Sequence, residues 1–162
     1  MFQDLVKPVG GSGSSKELES LIPEMTSNNA PTGYSAYGST EYGSGYGYFS
    51  AFSNTHAGWA PNTNAANQWV GITLPEAEIV KGLIYFGSMG AINSNTLALY
   101  GSNDSGTPTN WTPIIENISL GKYNAIHYIV LDNNDSYKSY KFGLATGFNL
   151  SGAYGMKYQL LG

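Results

Sequence analysis

The chain has 162 residues, no cysteine, 41% hydrophobic residues and only 11% charged ones, which fits a single domain that folds without disulfides or a structural metal. Its net charge is −4 and its seven cations are scattered lysines with no arginine, which excludes nucleic acid as a partner. No apolar run approaches the ~20 residues that cross a bilayer, and the first residues lack the basic and apolar regions of a signal peptide, so neither membrane insertion nor a signal peptide is expected, which leaves the cytosol or exit from the cell by another route.

In chain order, MFQDLVKPVGGSG comes first, with Phe2, Leu5, Val6 and Val9 ahead of a Gly/Ser hinge. It reads either as a frayed terminus or as an anchor peptide that docks on another protein through Phe2, Leu5 and Val6. SSKELESLIPEM follows and predicts a short helix: Ser14 or Ser15 as cap, acids in the first turn, Leu18, Leu21 and Ile22 as one stripe, and Pro23 as its stop. Glu17, Glu19 and Glu24 belong to this region.

Beyond Met25 the texture changes to short β-type runs between Gly, Asn, Asp and Pro. Strands are predicted near residues 34–39, 69–74, 79–86, 96–101, 111–115, 125–131, 139–145 and 156–161, several with period-2 alternation. Regular short strands with turn-rich joints predict an all-β protein, a β-sandwich or jelly roll. Between the first two strands lies TEYGSGYGYFSAFSNTHAGWAP, residues 40–61, in which Tyr42, Tyr46, Tyr48, Phe49 and Phe52 are interleaved with glycine. By composition it is a low-complexity linker or a long loop that presents rings to a ligand.

An enzyme is not indicated. There is no cysteine nucleophile, no cluster of metal ligands and no pair of carboxylates placed to face each other across a cleft. The GSGYG run does not follow a strand and open a helix, as a dinucleotide loop would.

Six segments in order carry a family resemblance: MTSNNAPTGYSAYGS, AFSNTHAGW, QWVGITL, LALYGSNDSG with NWTPI, YKSYKFGL and YQLLG. From about Pro23 to Gly162 the chain resembles a coagulation factor V/VIII type C (discoidin-like, galactose-binding-like) domain. Such domains are common among carbohydrate-binding modules and phage tail or virion proteins. The resemblance implies a galactose-binding-domain-like jelly roll over 23–162, preceded by an anchor peptide, hinge and short helix over 1–22. It makes residues 40–61 the first long loop, at the end of the sandwich used for binding. Trp59, Trp69 and Trp111 then fall where the family has structural aromatics and are expected in the core.

Sugar recognition needs flat rings for C–H faces and short polar groups for hydroxyls. The expected ligand-binding set is Tyr42, Tyr46, Tyr48, Asn54 and His56 from the first long loop, with Asn149 and Tyr154 from the late loop GFNLSGAYG. His127 is expected to be an ordinary strand histidine. The family often carries a structural calcium held by an Asp and a Glu; those positions read Ser53 and Lys157 here, so no metal or other cofactor is expected. Lys157 is expected to hydrogen-bond the loop carbonyls that would face the ion.

These readings converge on a non-catalytic carbohydrate-binding protein. The layout predicts a phage virion attachment subunit in the tail or capsid, an adhesin that binds a cell-surface glycan. A virion structural protein is its partner through residues 1–13, and homo-oligomerisation within the assembly is left open. The alternative is a purely structural or decorating virion subunit whose loops make protein contacts without binding sugar.

Overall fold

Along residues 69–74, Val70, Ile72 and Leu74 are buried while Trp69 and Thr73 are only half-buried, the alternation of a strand with one face on the core. The alternation recurs over Ile126–Val130 of the computed structural model, which describes residues 17–62, 68–88, 96–119, 126–144 and 154–162, while the strand holding Leu83, Ile84 and Tyr85 is buried on both faces at those residues. Eight strands form: β1 (Ser35–Gly38), β2 (Trp69–Glu78), β3 (Gly82–Ser88), β4 (Thr96–Ser102), β5 (Thr112–Ser119), β6 (Ile126–Val130), β7 (Tyr137–Leu144) and β8 (Tyr154–Leu161). They pair antiparallel into a five-stranded sheet, β1-β2-β7-β4-β5, and a three-stranded sheet, β6-β3-β8. The expected β-sandwich is present.

The core lies between the sheets. Val70, Ile72 and Leu74 of β2, Leu97 and Leu99 of β4, and Tyr140 and Phe142 of β7 meet Leu83 and Tyr85 of β3 and Met156, Tyr158 and Leu160 of β8. Phe142 and Tyr158 stack across the interface at 4.2 Å. Each large apolar side chain buried here contributes about 1.5–3 kcal/mol, and the layers interlock because inward residues alternate on both sheets.

The N-terminal helix is corrected in its described part. Residues 17–22 are not helical; Ser20 bridges Leu161 instead, with Glu19 N–H donating to the Gly162 carbonyl at 3.1 Å and Leu21 N–H to the Leu160 carbonyl at 2.9 Å. The open edge of β8 offers unpaired backbone groups, and pairing with them satisfies donors that a two-turn helix leaves free. Leu21 and Ile22 still pack on the core. The helical turns lie elsewhere, as 3-10 turns at Ser44–Tyr46 and Tyr48–Phe52. Phe2, Leu5 and Val6 lie outside the described residues.

Candidate functional site

The strand register gathers eight strand ends at one end of the sandwich. Gly38 lies opposite Val70, Trp69 opposite Gly143, Leu144 opposite Leu97, Thr96 opposite Ser119, Phe86 opposite Ile126, and Ser88 opposite Tyr154. The loop of residues 39–62 leaves β1 at this end. Asn149 lies outside the described residues, and Tyr154 opens β8 here by its backbone position.

The Tyr/Gly run is an ordered loop, anchored at several points. Trp59 is fully buried, donates its indole N–H to the Thr40 carbonyl at 2.8 Å, and exchanges two backbone hydrogen bonds with Met156 at 2.9 and 2.7 Å. Tyr42 N–H donates to the Ala60 carbonyl at 2.9 Å. The Glu41 carboxylate accepts from Tyr48 N–H at 2.7 Å, and Asn28 Oδ1 from Phe49 N–H at 3.0 Å. Where the loop crosses β8, Gly58 (φ +96°) and Gly155 (φ +70°) meet back to back, so close that a Cβ on Gly155 would lie 1.6 Å from the Ala57 carbonyl oxygen.

Two features emerge from this anchored loop. The first is a T-shaped pair, Tyr42 against Tyr46, with centroids 5.9 Å apart. Tyr42 is 60% exposed and Tyr46 half-buried. Tyr48 is turned inward and packs against the core; burial raises its pKa, and the nearby Glu41 charge adds to this.

The second feature is the turn 53–56, held by a residue that sequence reasoning assigned to another element. Glu24 Oε1 accepts from the Ser53 hydroxyl at 2.5 Å and the Thr55 hydroxyl at 3.0 Å, while Oε2 accepts from Asn54 N–H at 2.7 Å. Partial burial pushes the Glu24 carboxyl up, but the Ser53 hydroxyl, the Asn54 amide and Thr55 outweigh it and hold its pKa at about 2. His56 Nδ1 lies 2.8 Å from the Ser53 hydroxyl, and its ring meets Phe49 edge-on at 4.8 Å. Asn54 is exposed, and its carbonyl accepts from Lys157 Nζ at 3.2 Å. Nothing local marks Glu24 as a partner of this turn; the contact spans about thirty residues and exists only through the fold.

A cavity of ≈ 40 Å³ lies beside Glu24 and Lys157, walled by Pro23, Phe52, Ile84 and Phe86. It has room for a few waters and is too small for a sugar ring.

No protein-family model matches the chain, and no curated protein does. Solved structures do. Chitosan-binding module 1 from a chitosanase/glucanase of Paenibacillus sp. IK-5 superposes with a TM-score of 0.66 at 23% identity, covering 80% of this chain and 96% of that one. The family 32 carbohydrate-binding module of C. perfringens NanJ, solved with galactose, gives 0.60 at 13% identity over 81% and 95% of the two chains. Discoidin II of Dictyostelium discoideum gives 0.61 at 16% identity, covering 79% of this chain and 54% of that one. The fold is that of the discoidin-like carbohydrate-binding modules.

On this discoidin-like fold the loop carbonyl of Asn54 faces the ammonium of Lys157, not an open position. The Glu24 carboxylate beside this turn has both oxygens engaged by Ser53, Asn54 and Thr55. Among the described residues no three acidic or histidine side chains converge. These residues do not fit a calcium ion, which needs several oxygen ligands and net negative charge around it.

The tryptophans divide. Trp59 is core, as expected. Trp69 and Trp111 are not: both are half-buried and touch each other and Lys141. The alternation of β2 carried this signal, because Val70 and Ile72 inside oblige Trp69 to face out. His127 sits on β6 with its ring 6.1 Å from Tyr85.

Proposed function

We propose that this protein is a non-catalytic carbohydrate-binding protein that meets a cell-surface glycan with the loop end of its sandwich and serves a phage particle as an attachment subunit. The observation that carries the binding reading is Tyr42, a ring 60% exposed on a loop otherwise pinned by buried Trp59 and the Gly58–Gly155 contact. A ring held in place by its own backbone offers a flat apolar surface to a sugar at little entropic cost. Asn54 adds an exposed amide on the same loop. The neighbours in fold, described as chitosan-binding or as bound to galactose, support sugar as the ligand class.

The test is a glycan array, bacterial polysaccharides included, probed with labelled protein multimerised on beads so that many weak sites add up. Selective binding is expected, weakened about tenfold or more in Tyr42→Ala and Tyr46→Ala, the scale of one lost stacking contact. A folded protein that binds nothing on a broad array would favour the decorating-subunit reading instead.

The attachment role rests on the apolar peptide and Gly/Ser hinge in residues 1–13. Deleting residues 1–13 is expected to leave the thermal midpoint unchanged and to abolish incorporation into particles. A truncated protein that still co-purifies with particles would overturn the docking role.

A further inference from the structure

The outer face of the five-stranded sheet carries a second cluster of rings. Inward Val70 and Ile72 put Trp69 and Gly71 on the outside of β2; inward Tyr140 and Phe142 put Lys141 and Gly143 outside on β7; inward Leu97 and Leu99 put Ala98 and Tyr100 outside on β4. The register sets Lys141 between Gly71 and Tyr100, and Gly143 between Trp69 and Ala98. Gly71 and Gly143 form a floor under the neighbouring rings: a Cβ on Gly71 would lie 3.2 Å from the Tyr37 ring, and one on Gly143 3.6 Å from the Tyr100 ring. Tyr37 meets Trp69 edge-on at 5.8 Å, and Trp69 meets Trp111 at 6.4 Å.

Lys141 stands at the centre. Its Nζ is 4.7 Å from the Trp111 ring centre, 4.8 Å from Tyr100 and 5.7 Å from Trp69. Among the described residues no carboxylate forms an ion pair with it at 4.0 Å or less. Glu116, the acid at the rim, accepts from the Tyr100 hydroxyl at 3.0 Å. A surface lysine ordinarily keeps its ammonium in water. Here the rings desolvate it, which lowers its pKa, and leave it without an anion.

We propose that this face, which runs from Trp69 at the loop end along the outside of the sheet, is a second glycan surface distinct from Tyr42 and Tyr46 that takes a carboxylated sugar: the sugar ring lies on Trp69 and Trp111, and its carboxylate pairs with Lys141. The rings supply the apolar platform. The ammonium supplies the complementary charge, in surroundings where partial desolvation strengthens the pair relative to open water. A single ammonium matches a single carboxylate; a phosphate-rich ligand would call for several cations, or for the forked contacts of arginine.

The test titrates the full chain with hexamers of polygalacturonate, alginate mannuronate and hyaluronan, and with the neutral glycan that binds best on the array, following intrinsic tryptophan fluorescence and calorimetry. At least one acidic hexamer is expected to bind and to perturb the emission. Lys141→Gln is expected to weaken that binding about tenfold, the scale of one charge-assisted contact, and to leave the neutral glycan unaffected. Trp111→Phe, which keeps a ring in place, is expected to weaken it less than Trp111→Ala. Tyr42→Ala is expected to do the reverse, weakening the neutral glycan and sparing the acidic one, so failure at one surface is read separately from failure at the other. No binding of any acidic hexamer, or binding unchanged in a folded Lys141→Gln protein, would overturn the proposal.

Discussion

Replacing Gly155 with alanine is expected to lower the stability of the domain by about 3 kcal/mol, or roughly 6–12 °C in thermal midpoint. Two effects add. At φ +70° an alanine methyl is strained against its own backbone by about 1–2 kcal/mol. The methyl would also lie 1.6 Å from the Ala57 carbonyl oxygen, so the 57–59 segment must move off β8. That movement breaks the paired hydrogen bonds between Trp59 and Met156 and loosens the whole Tyr/Gly loop. Glycan binding is therefore expected to fall together with stability. Gly43→Ala and Gly45→Ala are the controls: nothing lies within 4 Å of a Cβ at either position, and a midpoint within ~1 °C of the parent protein is expected. Equal melting of Gly155→Ala and Gly45→Ala would contradict the close loop–strand contact.

Removing the Glu24 carboxylate is the second large effect. Glu24→Ala leaves the Ser53 and Thr55 hydroxyls and the Asn54 amide without their charged acceptor, at an expected cost of about 2 kcal/mol, kept low because Glu24 is exposed and water replaces part of what is lost. The pH dependence has a definite sign. The folded carboxyl titrates at about 2 against an ordinary 4.5, so its contribution is complete above pH ~5 and is lost as the pH falls through 4.5 toward 2. Solvent screening limits that contribution to about 1 kcal/mol. Chemical denaturation at a series of pH values from 7 to 2 should show the parent protein losing this increment while Glu24→Ala does not. In the same titration, millimolar calcium is expected to leave the midpoint of the parent protein unchanged, because the Lys157 ammonium already meets the Asn54 carbonyl. A calcium-dependent rise would show that the clamp yields to a metal.

Much of the sandwich was legible because its strands are half-buried and therefore alternate. All eight predicted runs correspond to strands, and the differences are at their ends. β2 continues past Leu74 through Pro75 to Glu78, where only Glu78 regains a partner, Tyr137, across a register shift. A proline and two acids hide that continuation from a reading based on hydrophobic pattern. The segment around Leu18–Ile22 misled for a different reason. Its apolar spacing suits a helix, but the free edge of β8 captures its backbone, a competition that no local pattern records.

The site was legible in part. The loop position of Tyr42 and the basic substitution at Lys157 could be read from order and residue type. The inward turn of Tyr48 could not, because its packing space exists only where Gly38 lacks a side chain: a Cβ there would lie 2.7 Å from the Tyr48 ring. Glu24 and the ring cluster on Lys141 depend on pairings between distant strands and emerge only with the fold. Trp69 was the exception, since the parity of β2 alone places it outside.

Sugar binding at the loop end is tested by an NMR titration of the labelled protein with the neutral glycan that binds best on the array. Shifts are expected to concentrate on Tyr42, Tyr46, Asn54, His56 and the start of β8 at Tyr154, with residues 103–110 and 131–136 at the opposite end unmoved. Shifts confined to that opposite end, or no saturable shift with any array glycan, would contradict it.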